Sequence, residues 1–460
     1  MSPIDSTDPR PVHFAGIAGA GMRALAELLA RRGVTVTGCD VNPGAMEDLK
    51  ALGIDVMKEH SPDHVTGARE LIVTSAMPKN HPELVRAREL GIPITRRAEA
   101  LGHAVEGGRL VGIAGTHGKT TTTVMTTAAL YAAGLKPTGI AGGRVAEWKG
   151  NLRYGGDELF VVEADEYDRS FLTLSPTVAV VTNVEADHLD IYKDLEDITT
   201  TFSRFARDAA AIVLCADDVG ASSLHLPPTA EVIRYGLRSR DARLVASNIR
   251  SDGHATLFSA SYDGKPLGDV ALQVPGLHNV QNALAALGAG FALGVSLYEM
   301  RAGLMQFAGV DRRFQLLGEI AGVTIIDDYA HHPTEIIATL QAARASYPGR
   351  RIVAAFQPHL FSRTRDFAEA FGAALGGADS VFLTEIYPAR EQPIEGVTSD
   401  VVAAAMKRAG HPVTWQGTRI DLAEALVQFV REGDVVITIG AGDITYTGPA
   451  LKQRLESRGT

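Results

Sequence analysis

Residues 109–132 read RLVGIAGTHGKTTTTVMTTAALYA. An apolar run enters a glycine loop, and the loop opens directly into a stretch of helical character. A strand that passes through glycines into a helix predicts a parallel sheet covered by helices, because parallel neighbours need a helical crossover. The same order recurs upstream, where VHFAGIAG (12–19) leads into MRALAELLARRG (22–33) and then into the strand VTVTGCD (34–40). LIVTSAM (71–77) and PITRRAE (93–99) extend that series. A third series holds GVTIIDDYAHHP (322–333), RRIVAAFQPH (350–359), SVFLTEIY (380–387) and DVVITIGAGD (434–443), again alternating with helical stretches.

The expected fold class is therefore α/β with three domains. Residues 1–107 form an N-terminal Rossmann-like domain, and residues 108–310 a central P-loop-type ATPase sheet. Residues 311–460 form a C-terminal Rossmann-like domain. Short alternating segments between about 230 and 275, such as VALQVPG, predict a small β element within the central domain.

Composition narrows the function. Lys plus Arg is 44 against 54 for Asp plus Glu, a net charge of -10, and no long basic run occurs. A nucleic-acid partner is not expected. The only cysteines, Cys39 and Cys215, make no disulfide framework or Cys-x-x-Cys pattern. The N-terminal residues have no basic stretch followed by an apolar core, and no apolar run is long enough to span a membrane. The expected location is the cytoplasm.

Two glycine loops carry the chemistry. In the first, Gly16, Gly19 and Gly21 follow a strand and open a helix, and Asp40 ends the next strand. Backbone amides there can hold a diphosphate, although the order G-x-x-G-x-G departs from the dinucleotide fingerprint; a tight turn without a ligand is the alternative, and Asp40 could equally be a solvated strand end. In the second, Ile113 stands where the usual P-loop has its first glycine, and Gly115 lies inside the loop. Amides of 115–119 can cradle phosphates, Lys119 can neutralise β/γ oxygens, and Thr120 can ligate Mg²⁺. The next strand ends are acidic. EADE supplies Glu163, Asp165 and Glu166, and EADHLD supplies Glu185, Asp187, His188 and Asp190. Carboxylates at the C-terminal strand ends beside a P-loop predict metal binding.

At this point the sequence resembles the ATP-dependent Mur ligases of peptidoglycan synthesis. The resemblance rests on HFAGIAGAGM, AGTHGKTTTT, EADEYDRSFL, TNVEADHLDIY, PGLHNVQNALAA, GVDRRFQLLGE, IIDDYAHHPTEI, FQPHLFSRTRDF and EIYPAREQPIEGV, in family order over nearly the whole chain. It implies a UDP-sugar domain, an ATP domain, and a C-terminal domain that closes over both and helps receive an amino acid. DDYAHHPTE, FQPH and YPARE point to the branch that joins L-alanine to UDP-N-acetylmuramate. There the lactyl carboxylate attacks the γ-phosphate of ATP, and the amine of L-alanine attacks the resulting acyl phosphate.

The resemblance also implies a set of site residues. Gly16, Gly19, Ala20, Gly21, Met22, Asp40 and Ser75 would contact the UDP-sugar. Gly115, Thr116, His117, Gly118, Lys119, Thr120 and Thr121 would contact the ATP phosphates, with Arg313 reaching them from the domain junction. Asn279 and Asn282 resemble adenine contacts, and Asp327 or Asp328 the ribose contact; each could otherwise cap or face a helix. Thr120 and Glu163 would hold one Mg²⁺ and Glu163 with His188 a second, with Mn²⁺ able to substitute. Lys119, His331 and Arg363 are the implied catalytic residues. UDP-N-acetylmuramate and L-alanine are the implied partners, with no membrane partner and a monomer or homodimer.

Three positions depart from the family. Leu360 replaces an arginine common after FQPH, and Ala330 replaces a common glycine. Ser203, beside Arg204, stands where sister ligases carry a carbamylated lysine, and no lysine occurs between Lys193 and Lys265, so no carbamate bridge is expected. Two rivals remain. One is the recycling ligase that adds L-Ala-γ-D-Glu-diaminopimelate to the same UDP-sugar. The other is a nucleotide-switched binding protein, against which the His- and Arg-bearing third domain argues.

Overall fold

A computed structural model describes residues 6–41, 46–75, 77–189 and 191–458. Asp190 lies outside the described residues. The chain is α/β, with three sheets in sequence order.

The first sheet holds β1 (Val12–Ala15), β2 (Val36–Asp40), β3 (Asp55–Lys58), β4 (Glu70–Val73) and β5 (Ile94–Arg96), in the order β3-β2-β1-β4-β5. All its pairs are parallel. Helix Ala20–Arg31 buries Met22, Leu25, Leu28 and Leu29. These recur at helical spacing and pack with Val12 and Phe14 of β1 in one core. Sequence patterning locates four of the five strands. β3 escapes it because Asp55 and Lys58 break its apolar run, and only Val56 within it is buried.

The second sheet has ten strands: β6 (Arg109–Ala114), β7 (Thr138–Val145), β8 (Gly150–Arg153), β9 (Leu159–Glu163), β10 (Val178–Val181), β11 (Ala211–Cys215), β12 (Glu231–Gly236), β13 (Leu244–Asp252), β14 (Ala255–Tyr262) and β15 (Lys265–Leu272). Their order is β15-β14-β13-β12-β11-β10-β6-β9-β7-β8. β6 lies between β9 and β10, parallel to both. The glycine loop after β6 therefore emerges between the two acidic strand ends. The predicted small β element corresponds to β12 through β15.

The third sheet holds β16 (Gln315–Ile320), β17 (Val323–Asp328), β18 (Ile352–Phe356), β19 (Ser380–Thr384), β20 (Trp415–Gly417) and β21 (Val435–Ile439). Its order is β16-β17-β21-β18-β19-β20, with β16 antiparallel on the edge. Continuous burial along β17, β18 and β21 matches their unbroken apolar runs, as expected for strands covered on both faces. By backbone contacts the chain divides into two units, one of residues 1–248, 258–270 and 281–307 and one of 249–257, 271–280 and 308–460.

Candidate active site

Helix Lys119–Ala132 starts directly at the loop lysine. Gly115 takes φ +142, and a β-carbon there would collide with the Thr182 hydroxyl. Gly118 takes a left-handed φ of +81, and a β-carbon there would come within 2.6 Å of Asn282 Oδ1. These two contacts explain why glycine sits at 115 and 118. The loop is braced from the end of β10. Asn183 Oδ1 accepts from His117 N at 2.7 Å, Thr182 Oγ1 donates to His117 O at 2.6 Å, and Glu185 N donates to Thr116 Oγ1 at 2.9 Å.

Lys119 folds over the loop. Its ammonium donates to Gly115 O at 2.6 Å and Thr116 O at 3.2 Å, and pairs with Glu166 Oε2 at 2.8 Å. Burial opposes its charge, but Glu166, Asp165 and Glu163 outweigh that and hold its pKa above the ordinary lysine value. Thr120 Oγ1 donates to Glu163 Oε1 at 2.9 Å. Burial pushes the Glu163 carboxyl up, against the pull of the Gly142 amide and Lys119. Burial also pushes Glu166 up to about 7, again against Lys119. Two buried carboxylates therefore share one lysine, and further positive charge beside them would relieve the desolvation cost. His188 Nε2 lies 3.7 Å from Glu166 Oε1, with its backbone at φ +52. The Thr120 hydroxyl and Glu163 carboxylate oxygens suit a hard cation such as Mg²⁺, while His188 stands beside Glu166 and Asp187.

Asn282 accepts from Thr122 Oγ1 at 3.2 Å, which joins helix Leu277–Ala292 to the loop helix. Thr121 is buried in the same first turn. Asn279, in the other unit, donates to Pro275 O at 2.7 Å.

In the first sheet, Gly16 takes φ +79, and Gly19 precedes helix Ala20–Arg31 without a side-chain cap. Ala18 N donates to Asp40 Oδ2 at 2.9 Å, so the end of β2 holds the loop. A β-carbon on Gly21 would approach Arg97 Nη1 to 2.8 Å. Met22 is buried in the core, while Ser75 is exposed and lines a polar cleft of about 110 Å³. Arg96, Arg97, Tyr167, Asp168 and Arg169 also line that cleft. PITRRAE, read as a strand, holds β5 only to Arg96, and Arg97 starts helix Arg97–Val105; the RR pair at that junction was the signal for Arg96 and Arg97.

In the C-terminal unit, helix Pro333–Ser346 is entered through His332, whose ring accepts from Thr334 N. His331 Nδ1 lies 3.2 Å from Glu335 Oε2, and its ring stands 5.9 Å from that of His359. Arg363, buried, brings Nη1 within 3.5 Å of His359 Nδ1. Arg313 Nη1 lies 3.6 Å from Glu335 Oε1. His331, Arg363 and Arg313 thus share one neighbourhood, with His359 and Glu335 as members the sequence reading did not single out. Leu360 is buried at φ +70 and caps helix Phe361–Asp366. Ala330 N donates to Asp328 Oδ1 at 2.8 Å.

Asp327 accepts from Thr438 at 2.6 Å and Thr445 at 2.7 Å, with Arg312 Nε at 3.3 Å. Asp328 accepts from Phe314 N and Thr339 Oγ1, and burial pushes it up to about 6. Ser203 Oγ accepts from His225 N at 3.0 Å, and Arg204 is exposed.

The chain carries three α/β sheets, a lysine loop between acidic strand ends in one unit and a His–Arg cluster in the other. Comparison with known proteins shows that the chain belongs to the Mur ligase family. Residues 11–109 match the family's catalytic domain, residues 113–290 its middle domain, and residues 312–442 the Mur ligase glutamate ligase domain. The chain is 42% identical to the UDP-N-acetylmuramate--L-alanine ligase of Salinibacter ruber, over 98% of this chain and 96% of that protein. The solved UDP-N-acetylmuramate-alanine ligase of Thermotoga maritima superposes with a TM-score of 0.82 at 29% identity, over 97% of this chain and 99% of that one. The murein peptide ligase of Psychrobacter arcticus gives 0.70 at 25% identity, over 97% and 98%.

Proposed function

We propose that this chain joins L-alanine to the lactyl carboxylate of UDP-N-acetylmuramate, with ATP as the phosphoryl donor, in the cytoplasm. The observation that carries the reading is the buried Lys119–Glu166 and Thr120–Glu163 arrangement at the loop, in a chain similar over nearly its whole length to alanine-adding relatives.

The chemistry follows from charge. A carboxylate is a poor acyl donor because oxide would have to leave, and phosphorylation supplies a better leaving group. Carboxylate and triphosphate repel, so the residues must bring positive charge to their meeting point. The loop amides of 115–118 and Lys119 bind the phosphates. Thr120, Glu163 and His188 would hold Mg²⁺, or Mn²⁺ in its place, and the ion would supply positive charge to offset that of the phosphates. Glu166 keeps Lys119 extended toward the loop until phosphate oxygens compete for it. The glycine loop at 16–21 and the Ser75–Arg97 cleft bind the UDP-sugar. Asn282 sits against the loop glycine to face the adenine. Arg313 and Arg363 steady the anions, and His331 orients the incoming amine.

The test is phosphate release by the purified chain. Release should require both UDP-N-acetylmuramate and L-alanine. Turnover with the L-Ala-γ-D-Glu-diaminopimelate tripeptide alone would move the assignment to the recycling ligase, and release with neither substrate to a nucleotide switch. In the His331→Ala variant, amide formation should fall more than UDP-sugar binding does. Equal losses would remove His331 from the amine step.

A further inference from the structure

The face of the first sheet opposite helix Ala20–Arg31 carries an unusual set of side chains. His13 and Thr37 are register partners on β1 and β2, as are Ala15 and Cys39. Residues two apart on a strand share a face, so His13 and Cys39 project together. That face is covered by the short turn Pro62–Val65, which brings His64, and by helix Pro82–Glu89, which brings Glu83 in its first turn. Elsewhere the same cover is apolar, through Val65, Leu84 and Ala87, packed with Leu71 of β4.

Within this layer Glu83 is fully buried. Its oxygens meet Cys39 Sγ at 2.9 Å, His64 Nδ1 at 3.2 Å and His13 Nε2 at 3.9 Å. Among the described residues its ion-pair partners are three histidines, His13, His60 and His64. Glu83 Oε1 also accepts from Ser61 N at 3.2 Å, and a carboxylate removed from water gains most from positive charge beside it, which a cation would supply. His13 Nε2 and Glu83 Oε2 are both buried without a hydrogen-bond partner, and both point into the cluster.

We propose that His13, Cys39, His64 and Glu83 form a structural zinc site. One ligand atom from each lies within 4.8 Å of every other. Tetrahedral zinc with nitrogen, sulfur and oxygen donors holds its ligand atoms roughly 3.3–3.9 Å apart, so small side-chain shifts close the set around one ion. A mixed thiolate, imidazole and carboxylate set favours zinc over the hard Mg²⁺ of the nucleotide site. On binding, the Cys39 thiol loses its proton to solvent and its sulfur lone pair forms the metal bond. His60 and His81, with rings 4.6 Å apart, flank Glu83 on the more open side and offer the ion an entry route. The site would also act on the UDP-sugar loop, because Cys39 O accepts from Gly16 N at 2.9 Å and Ile17 N at 3.1 Å. An ion on Cys39 Sγ therefore anchors the residue that fixes the turn of that loop.

The test uses the full chain, stripped of metal and kept in excess Mg²⁺. Zinc added against a chromophoric chelator should bind tightly and raise Tm. Cobalt in its place should give a thiolate-to-cobalt charge-transfer band at one equivalent. Cys39→Ser should abolish the band and Cys215→Ser should keep it. Should Cys39→Ser fail to fold, His64→Ala, at the edge of the cluster, should still fold and bind zinc at least tenfold more weakly. A folded wild-type chain with no charge-transfer band, a band that survives Cys39→Ser, or unchanged zinc affinity in His64→Ala would each overturn the proposal.

Discussion

Two acidic strand ends in this protein look alike in sequence and differ in what surrounds them. Glu163 ends β9 and Glu166 follows it, and Asp327 and Asp328 end β17; Glu166, Asp327 and Asp328 are buried and Glu163 is half-buried. Around β9 the compensation comes from one ammonium, one hydroxyl and one amide. At β17, Asp327 receives two threonine hydroxyls beside an arginine, and Asp328 receives two amides and a hydroxyl. The first end is short of donors and suits a cation or a phosphate-bound lysine. The second is supplied with donors by the neighbouring strand through Thr438, and by flanking loops, a turn and a helix through Phe314, Ala330, Thr445 and Thr339. An acidic strand end becomes a site by what it lacks, which a motif does not display.

Breaking the β9 end should have the largest effect. Lys119→Ala should lower ATP turnover by roughly 10²–10³-fold or more, since one preorganised electrostatic contact is lost. Circular dichroism should remain that of the parent, and near-normal turnover in a folded variant would remove Lys119 from the chemistry. Glu163→Gln should weaken the Mg²⁺ dependence of turnover by about 10–100-fold, the size usual for disturbing a metal's ligand shell. A Mg²⁺ titration checks this, and an unmoved midpoint would make Glu163 only a loop brace.

The β17 end should instead answer in stability. Asp328 titrates higher in the folded chain than an ordinary aspartate, so its favourable contribution is complete below about pH 4. That contribution is lost as pH rises through about 6. Two units correspond to about 2–3 kcal/mol. The stability difference between the parent and Asp328→Asn should therefore shrink in the parent's disfavour between those pH values. A flat difference in denaturant titrations would show the carboxyl is not perturbed. The smallest effect should come from Thr445→Val, which removes one of Asp327's donors and should cost about 1–2 kcal/mol with turnover kept. A larger fall in turnover than in stability would turn the comparison around and make Asp327 a nucleotide contact.

The contrast also marks what the sequence could disclose. Strands buried on both faces, such as β6, β10, β17 and β21, were visible as unbroken apolar runs, and GTHGKTTTT located the phosphate loop. Edge strands β3, β16 and β20 were not visible, because their residues are only partly buried and carry no clean period. In the site, residue types named the acids but not their partners. Glu166 on Lys119 and Asn183 on His117 depend on crossings between strands far apart in sequence, whereas His359 beside Arg363 is a local contact four residues apart at a helix start. Leu360, read as the loss of an arginine, turns out to be a buried residue with positive φ at the start of helix Phe361–Asp366.

The Thr122–Asn282 contact spans 160 positions of chain. During synthesis the loop and its helix leave the ribosome long before the asparagine that packs on Gly118. At bacterial elongation rates of ~5–20 residues per second, that delay is on the order of ten to thirty seconds. The nascent glycine loop spends that interval without the Asn282 side chain that closes on Gly118 and Thr122, so its final packing is completed only after helix Leu277–Ala292 has emerged.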